Sequence, residues 1–166
     1  MEVRIGVLSD THLHRVSKDL LDIYNHYLKD MDIIFHAGDF VSHEIVNFFS
    51  NKKDFHGVSG NMDPFDVKTM VPEKKVVDIG AFKLGLIHGW GSLEGLEERI
   101  RSEFQNVDII VYGHSHSAAN HMRDGILFFN PGTAIGYSSS HVHSIGVLEI
   151  SDAVDGKIIN IEFPKR

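Results

Sequence analysis

Short apolar runs alternate with amphipathic stretches along the first part of the chain. Apolar and β-branched residues predict strands over residues 2–8, 32–36 and 54–58. Between consecutive strands, apolar residues recur at helical spacing behind the N-cap candidates Ser17 and Ser42. The first half of the chain is therefore predicted to have the element order β-α-β-α-β.

Strand patterns dominate the rest of the chain. One further helix is predicted over about residues 93–105, with Leu93 and Ile100 on its inward face. The other predicted strands cover residues 74–79, 82–87, 108–112, 119–123, 126–130, 142–150 and 157–163. Because this half has few helices between its strands, we expect mostly antiparallel pairing here.

This order of elements predicts the α/β fold class, with two sheets packed face to face and helices outside them. The dipeptides Asp124-Gly125 and Asp155-Gly156 predict hairpin turns. The segment 131–141 is rich in small residues, and we expect it to be mobile or to face the substrate. The sequence shows no linker and no internal repeat, which predicts a single domain over residues 1–166.

Composition narrows the class of protein. The 166 residues carry a formal net charge of −7 at pH 7, which argues against an extended nucleic-acid surface but allows a small phosphorylated substrate. Cysteine is absent, so the sequence excludes disulfides and thiolate metal sites. No apolar stretch is long enough for a bilayer and no secretion signal precedes the first strand, so we expect a cytoplasmic protein without a membrane partner.

Five of the predicted strands end in side chains that bind metal ions. They supply two Asp, four His and one Asn, namely Asp10, His12, Asp39, Asn61, His88, His114 and His116. In α/β sheets, ligands gather outside the carboxyl ends of strands, so five such ends imply one shared site. The mixture of carboxylate and imidazole favours Mn, Fe, Zn, Co or Ni over Mg or Ca.

These candidates are numerous enough to hold two metal ions. A pair of ions needs a bridging ligand, and a carboxylate can bridge where a neutral imidazole cannot. Asp39 is the bridging candidate because it lies at a tight turn after Gly38. The first ion is expected to bind Asp10, His12 and His116, and the second Asn61, His88 and His114.

The motifs that carry these ligands occur in an order similar to that of a known family. They are D-x-H at Asp10 to His12, G-D at Gly38-Asp39, G-N at Gly60-Asn61, H-G at His88-Gly89 and G-H-x-H at Gly113 to His116. With them the chain resembles calcineurin-like metallophosphoesterases, most closely the small single-domain branch that includes bacterial and archaeal phosphodiesterases. The resemblance implies a four-layer α-β-β-α sandwich of two mixed sheets flanked by helices.

The resemblance also implies a hydrolase of phosphate esters that uses two divalent metal ions per chain. A metal-bridging hydroxide would attack phosphorus in line, with Asp39, Asn61 and His88 contributing to catalysis through the metals. We expect manganese, with Ni, Fe, Zn or Co as alternatives. A phosphodiester is expected rather than a monoester, because the five motifs contain no Arg or Lys to offset the extra charge of a monoester.

One position departs from the family pattern. Larger members read G-N-H followed by Asp or Glu, where the histidine acts as general acid or contacts the phosphate. Here Met62 follows Asn61, and methionine cannot transfer a proton. The sequence therefore identifies no general acid, and water, a neighbouring histidine or no group at all stay open. Residues 130–133 read N-P-G-T and resemble an N-P-G-S turn of the same branch.

Four further residues near the motifs have two interpretations each. His36 is a donor that supports a ligand or a packed histidine at a strand end. Asp63 supports Asn61 or caps the next turn. His14 approaches the substrate or lies in solvent, and Trp90 forms a pocket wall or belongs to the core.

A non-catalytic protein is the rival interpretation. A retromer subunit of the resembled family uses this fold as a scaffold for protein partners and has lost part of the ligand set. The complete ligand set here argues for catalysis over a metal-binding scaffold. The sequence leaves open whether the chain forms a homo-oligomer.

Overall fold

The computed structural model describes residues 1–138 and 140–163 of the chain. Position 139 of the predicted loop and residues 164–166 of the predicted domain lie outside the described residues. The strands of the described part are β1 (Val3–Leu8), β2 (Ile33–His36), β3 (Asp54–Gly57), β4 (Lys74–Ile79), β5 (Phe82–Ile87), β6 (Ile109–Val111), β7 (Ala119–Arg123), β8 (Ile126–Asn130), β9 (His143–Ile150) and β10 (Val154–Ile161). The helices are α1 (Lys18–Ile23), α2 (His43–Ser50), α3 (Phe65–Met70) and α4 (Leu96–Ser102), and a π-helical turn (Tyr24–Leu28) continues α1.

The strands form two mixed sheets of five strands each. The first has the order β10-β9-β1-β2-β3 and the second has the order β4-β5-β6-β8-β7. Within them β1, β2 and β3 pair in parallel, and so do β5, β6 and β8, whereas the outer pairs are antiparallel. The second half is mostly antiparallel, as predicted, and the pairs β5-β6 and β6-β8 are its parallel exceptions. Helix α4 crosses over between β5 and β6, and such a crossover permits parallel pairing.

Three apolar cores separate four layers. Alternation along β1 sends Ile5 and Val7 between the two sheets and Leu8 toward the helices. The second core packs α1 and α2 on the first sheet, and the third packs α4 on the second sheet through Leu96 and Ile100. This arrangement confirms the predicted α/β sandwich of two mixed sheets flanked by helices. In the described residues, no helix is long and apolar enough to span a membrane.

Helix α3 is the one helix that the sequence pattern does not predict. It has six residues, of which only Val67 is buried. A single inward residue produces no helical stripe, so periodicity cannot reveal a helix this short. Its place directly after the Gly60-Asn61 loop puts it beside the candidate site.

Two predicted boundaries are also wrong. The last hairpin turns at residues 151–153, where Ser151 N–H donates to the Ala153 carbonyl at 2.9 Å, and Asp155-Gly156 lies inside β10. Leu93 is 61% exposed instead of inward, because α4 begins only at Leu96.

The first part of the predicted loop 131–141 is buried in the fold. Residues 131–135 are buried, contrary to the expected mobile or substrate-facing segment. They pack beneath the first strand end, where the Thr133 hydroxyl donates to the Asp10 carbonyl at 2.8 Å and Ala134 N–H donates to the Ser9 carbonyl at 3.3 Å. This part of the loop is therefore a support for the Asp10 turn.

Candidate metal centre

The seven predicted ligands meet where the carboxyl ends of parallel strands converge. Three of these ends belong to β1, β2 and β3 of the first sheet, and two belong to β5 and β6 of the second. Because the sheets pack face to face, both sets of ends reach one edge of the sandwich. The seven side chains form two groups that share Asp39.

The first group surrounds the carboxylate of Asp10. Ligand atoms of Asp10, His12, Asp39 and His116 all lie within 4.8 Å of one another. Asp10 Oδ1 is 3.2 Å from His116 Nε2 and 3.6 Å from His12 Nε2. One carboxylate pair and two imidazoles at these distances form a ligand set for a borderline divalent cation.

The second group continues from Asp39 toward the second sheet. Asp39 Oδ2 lies 3.3 Å from His88 Nε2, which lies 3.1 Å from Asn61 Oδ1. Asn61 Oδ1 is in turn 3.3 Å from His114 Nδ1. Asp39 Oδ2 is also 3.5 Å from His12 Nε2, so this one oxygen faces both groups.

Backbone carbonyls orient the imidazoles of the second group. His88 Nδ1–H donates to the Ala37 carbonyl at 2.7 Å, which leaves Nε2 facing Asp39 in the neutral form. His114 Nε2–H donates to the Gly91 carbonyl at 2.8 Å, which leaves Nδ1 facing the centre. Each ring therefore presents its free lone pair to the site.

Two buried polar atoms of the first group have no hydrogen-bond partner among residues 1–138 and 140–163. They are Asp10 Oδ1 and His12 Nε2. An unsatisfied buried carboxylate oxygen or imidazole nitrogen is costly in a folded protein, and a bound cation would satisfy both atoms at once. The donor set therefore fits a metal ion at this point.

The charges of the centre also fit a bound cation. The ion pairs that Asp10 and Asp39 make within the described residues are all with histidines. Burial opposes ionisation of Asp10, but His116 and His12 outweigh burial and hold the pKa of Asp10 well below its usual range. Burial likewise opposes protonation of His88, but Asp39 and Asp10 raise the pKa of His88 above its usual value. The carboxylates thus attract positive charge, which divalent cations would supply in place of protons.

The backbone at the ligands is strained. Five of the seven ligands have positive φ angles, namely Asp10 (55°), His12 (48°), Asp39 (59°), His114 (70°) and His116 (59°). Residues other than glycine rarely adopt this left-handed conformation, and the surroundings must compensate for its cost. A dense set of hydrogen bonds to these turns provides that compensation.

Asp63 ties two of the ligand loops together. Its Oδ2 accepts hydrogen bonds from Gly60 N–H at 2.8 Å and Asp39 N–H at 3.0 Å, and its Oδ1 accepts one from Val41 N–H at 2.7 Å. Burial raises the pKa of Asp63 above its usual value. Asp63 therefore supports both the Asp39 turn and the Asn61 loop, which extends the interpretation drawn from the sequence.

We expect Asp63→Ala to lower the free energy of unfolding by about 3 kcal/mol or more, because three backbone N–H groups lose their acceptor at about 1–3 kcal/mol each. Metal affinity should fall about 10–100-fold, as is usual when a ligand support is removed. Urea denaturation and calorimetric metal titration measure the two effects. Asp66→Ala, on the exposed face of α3, is the control. A loss below about 1 kcal/mol for Asp63→Ala would contradict the supporting role.

The other two predicted supporting residues differ from each other. His36 is fully buried and stacks on Phe40 with ring centroids 3.8 Å apart. Its Nδ1 accepts from Gly38 N–H at 3.1 Å and its Nε2 lies 3.1 Å from the Thr11 hydroxyl, so it braces the turns beside the ligands and donates to no ligand side chain. Burial lowers the pKa of His36 to about 3, which keeps the ring neutral. His14 is exposed, and its contact with substrate stays a prediction.

Two supporting residues have no assigned role in the sequence interpretation. The Ser9 hydroxyl donates to Asp10 Oδ2 at 2.5 Å. Asn130 Nδ2 donates to the Gly113 carbonyl at 3.1 Å and to the Ser115 hydroxyl at 3.0 Å, which fixes the loop that carries the last two ligands. The N-P-G-T motif at residues 130–133 is the sequence signal that could indicate such a support. Its Asn and Thr contact two different loops that carry candidate ligands.

A cleft opens beside the second group. Its volume is about 380 Å³, and Asn61, His88 and Trp90 form part of its lining. Two lysines and two glutamates from elsewhere in the chain complete its charged lining, namely Lys68, Lys74, Glu73 and Glu103. The lysines that are missing from the five motifs therefore reach the site from α3 and β4.

Comparison with known proteins confirms the family that the motifs resemble. A model of the calcineurin-like phosphoesterase superfamily domain matches residues 3–153. The chain is 32% identical over 162 residues to a probable metallophosphoesterase of Methanocaldococcus jannaschii, covering 95% of this chain and 81% of that protein. It is 29% identical over 160 residues to a phosphodiesterase of the same organism, covering 89% of this chain and 93% of that protein.

Solved structures show the same fold. The chain is similar to an archaeal phosphodiesterase with a TM-score of 0.74 and 26% identity, covering 96% of this chain and 100% of that one. It is similar to a wild-type Vps29 from Entamoeba histolytica complexed with zinc, with a TM-score of 0.70 and 27% identity, covering 95% of this chain and 99% of that one. With its motifs, its layered fold and these relatives, the chain belongs to the calcineurin-like phosphoesterase superfamily.

Proposed function

We propose that the chain is a dinuclear metal-dependent phosphodiesterase that hydrolyses a small phosphate ester. The observation that carries this proposal is the position of Asp39 Oδ2, which lies 3.5 Å from His12 Nε2 and 3.3 Å from His88 Nε2. The other oxygen, Oδ1, accepts a hydrogen bond from Met62 N–H at 2.9 Å. Asp39 would therefore be the residue held in common by two ions, and Oδ2 is its oxygen that faces both groups.

Each of the two groups is proposed to hold one ion. Asp10, His12 and His116 would hold one ion, Asn61, His88 and His114 the other, and Asp39 both. Two divalent ions bound there would polarise the phosphoryl oxygens and lower the pKa of a bound water, and we expect manganese in this role. The carbonyls of Ala37 and Gly91 hold His88 and His114 in place, which preserves the geometry during the reaction.

The charges of the cleft support a diester over a monoester. Lys74 Nζ is bound by Glu103, 2.8 Å from its Oε2 and 3.1 Å from its backbone carbonyl. Lys68 shares the cleft with the carboxylate of Glu73. Since the lysines are balanced by glutamates, the cleft offers no surplus positive charge for the second negative charge of a monoester.

A hydrolysis assay with a phosphodiester substrate tests the proposal. Bis-p-nitrophenyl phosphate should be hydrolysed after Mn²⁺ or Ni²⁺ is added to chelator-treated protein, and hydrolysis should stop again on chelation. The control is the same preparation without added metal. Absence of turnover with Mn²⁺, Ni²⁺, Fe²⁺, Zn²⁺ and Co²⁺ alike would contradict the enzyme proposal.

Met62 allows a prediction about the leaving group. Its side chain is 58% exposed beside Asn61, where larger family members carry a histidine. We expect Met62→His to raise turnover of a diester with an alkyl leaving group by up to about 10²-fold, because that group needs a proton donor. Turnover of a p-nitrophenyl ester should change little, because p-nitrophenolate leaves without a proton.

The control for this substitution is Met70→His, which places an exposed histidine on α3 outside the cleft lining. Product formation from each ester is followed by chromatography. If Met62→His and Met70→His gave the same rates on the alkyl ester, another group would already supply the proton.

A non-catalytic scaffold is the second candidate function. The chain is similar in fold to Vps29 from Entamoeba histolytica. A fold alone does not imply catalysis, so this similarity keeps the scaffold as a candidate. Since that structure was solved with zinc, metal content does not separate the two candidates. Turnover of a diester does separate them, because only the phosphodiesterase proposal requires it.

A further inference from the structure

The cleft beside the second ligand group carries an exposed aromatic side chain that lies outside the three apolar cores. Trp90 is 42% exposed and lines this cleft together with Asn61 and His88. It belongs to none of the three apolar cores. Among the described residues, no other aromatic ring contacts its indole. Part of the Trp90 side chain is therefore available to contact a ligand in the cleft.

The loop that carries Trp90 is held from two sides. The Arg99 guanidinium donates to the Trp90 carbonyl at 2.7 Å and also to the Ser92 carbonyl. On the other side, the metal-ligand candidate His114 donates from Nε2 to the Gly91 carbonyl at 2.8 Å. The backbone that carries the indole is thus held relative to the metal centre, which lowers the entropic cost of binding a ligand against this loop.

The charges along the cleft indicate which chemical group can bind there beside the reacting phosphate. Two lysines and two glutamates line it, so its formal charge is zero. A polyphosphate chain would find no net attraction there. A neutral organic group attached to the reacting phosphate fits better, and a volume of about 380 Å³ lies in the range of small-molecule pockets.

We propose that this cleft binds the nucleobase of a nucleoside phosphodiester, with the Trp90 indole as the stacking surface. A nucleobase is neutral and planar, and every base has a π-face that stacks on an aromatic side chain. The reacting phosphate would lie at Asp39, Asn61 and His88, and the base would lie over Trp90 in the same cleft. This inference deepens the proposed function and rests on it for the place of the phosphate.

The test measures how much the base adds to binding. Adenosine 5′-monophosphate and ribose 5-phosphate carry the same phosphate and sugar, so the ratio of their dissociation constants isolates the base. In calorimetric titrations of the manganese-loaded protein we expect the nucleotide to bind about tenfold more tightly or better. Trp90→Ala should bring this ratio close to one, and Trp90→Phe should keep most of it. Leu93→Ala removes an exposed apolar side chain of the same loop outside this cleft, and it should keep the full ratio.

Fluorescence gives a second readout. Trp90 is the single tryptophan of the chain, so its emission reports on the stacking surface alone. Adenosine 5′-monophosphate should quench this emission saturably, and ribose 5-phosphate should not. An unchanged binding ratio in Trp90→Ala, or equal quenching by both compounds, would overturn the inference.

The nucleotide-binding test and the turnover test can fail independently of each other. Turnover of bis-p-nitrophenyl phosphate without any preference for the nucleotide would overturn the stacking role and leave the phosphodiesterase proposal in place. A nucleotide preference that disappears in Trp90→Ala, in a protein without turnover, would support the stacking role and contradict the phosphodiesterase.

Discussion

Replacing Asp39 by Asn is expected to lower kcat/KM for a phosphodiester by on the order of 10³-fold or more. The side chain is 3% exposed, and its Oδ2 faces both ligand groups at 3.3–3.5 Å. Asn keeps the shape of the side chain and an acceptor for Met62 N–H, but it removes the negative charge that two neighbouring cations share. The substitution therefore tests the charge of the bridge separately from the fold.

Metal binding and stability are measured on the same variant. Elemental analysis should show fewer than two ions per chain, while circular dichroism should show a folded protein. The matched control is Asp66→Asn, because the Asp66 carboxylate is exposed on α3 and pairs with His43. Its activity should equal that of the unmodified chain. An Asp39→Asn protein that keeps both ions and activity within about tenfold would contradict the bridging role.

Gly60→Ala is expected to lower activity by about 10²-fold, because a small displacement of reacting groups is enough for such a loss. A Cβ atom at position 60 would contact Asp39 Oδ1 and lie 2.7 Å from Asp39 N. Asp39 N–H already donates to Asp63, so the Asp39 turn cannot move away without losing that bond. The added methyl group therefore displaces the bridging carboxylate.

Stability should fall with activity in this variant, by about 1–3 kcal/mol for an overpacked site. The control is Gly125→Ala, where no atom lies within 4 Å of the added Cβ but φ is +77°. Gly125→Ala should cost about 1 kcal/mol of stability with unchanged activity. Steady-state kinetics and urea denaturation separate the two cases. Equal activities of the two variants would show that the close approach at Gly60 has no part in the site.

The sequence predicts which side chains lie together at the strand ends because the signal is local. A strand that ends in Asp, His or Asn is visible in a few residues, and parallel strands bring such ends together. The seven side chains named from the five motifs lie close together in the structure, and their role as metal ligands stays a prediction. Asp39 lies between His12 and His88, as a bridging residue would, and the division of the seven side chains between two ions stays a prediction.

The supports of the site depend on contacts between distant segments, which no local pattern reveals. Asn130 reaches the Gly113 loop and Thr133 reaches the Asp10 carbonyl across the fold. The backbone of the loop that carries Trp90 depends on Arg99 and His114 in the same way. Sequence spacing indicates that these polar residues exist, but only the tertiary fold identifies their partners.

The hairpin turn predicted at Asp155-Gly156 is wrong because of contacts between distant segments. Asp-Gly is a strong turn signal by itself, but Gly156 lies within β10. A Cβ atom there would lie 3.0 Å from the Phe129 ring and 3.0 Å from the Asn120 side chain. Glycine is therefore needed at this position because two side chains of the other sheet approach the strand, and a turn has no part in it.

Crystallography of the manganese-loaded protein tests the central claim most directly, because anomalous scattering locates each ion. The account predicts two ions about 3.5–4 Å apart that share Asp39. One should contact Asp10, His12 and His116, and the other Asn61, His88 and His114. A single ion, or two ions too far apart to share one carboxylate, would contradict the dinuclear centre.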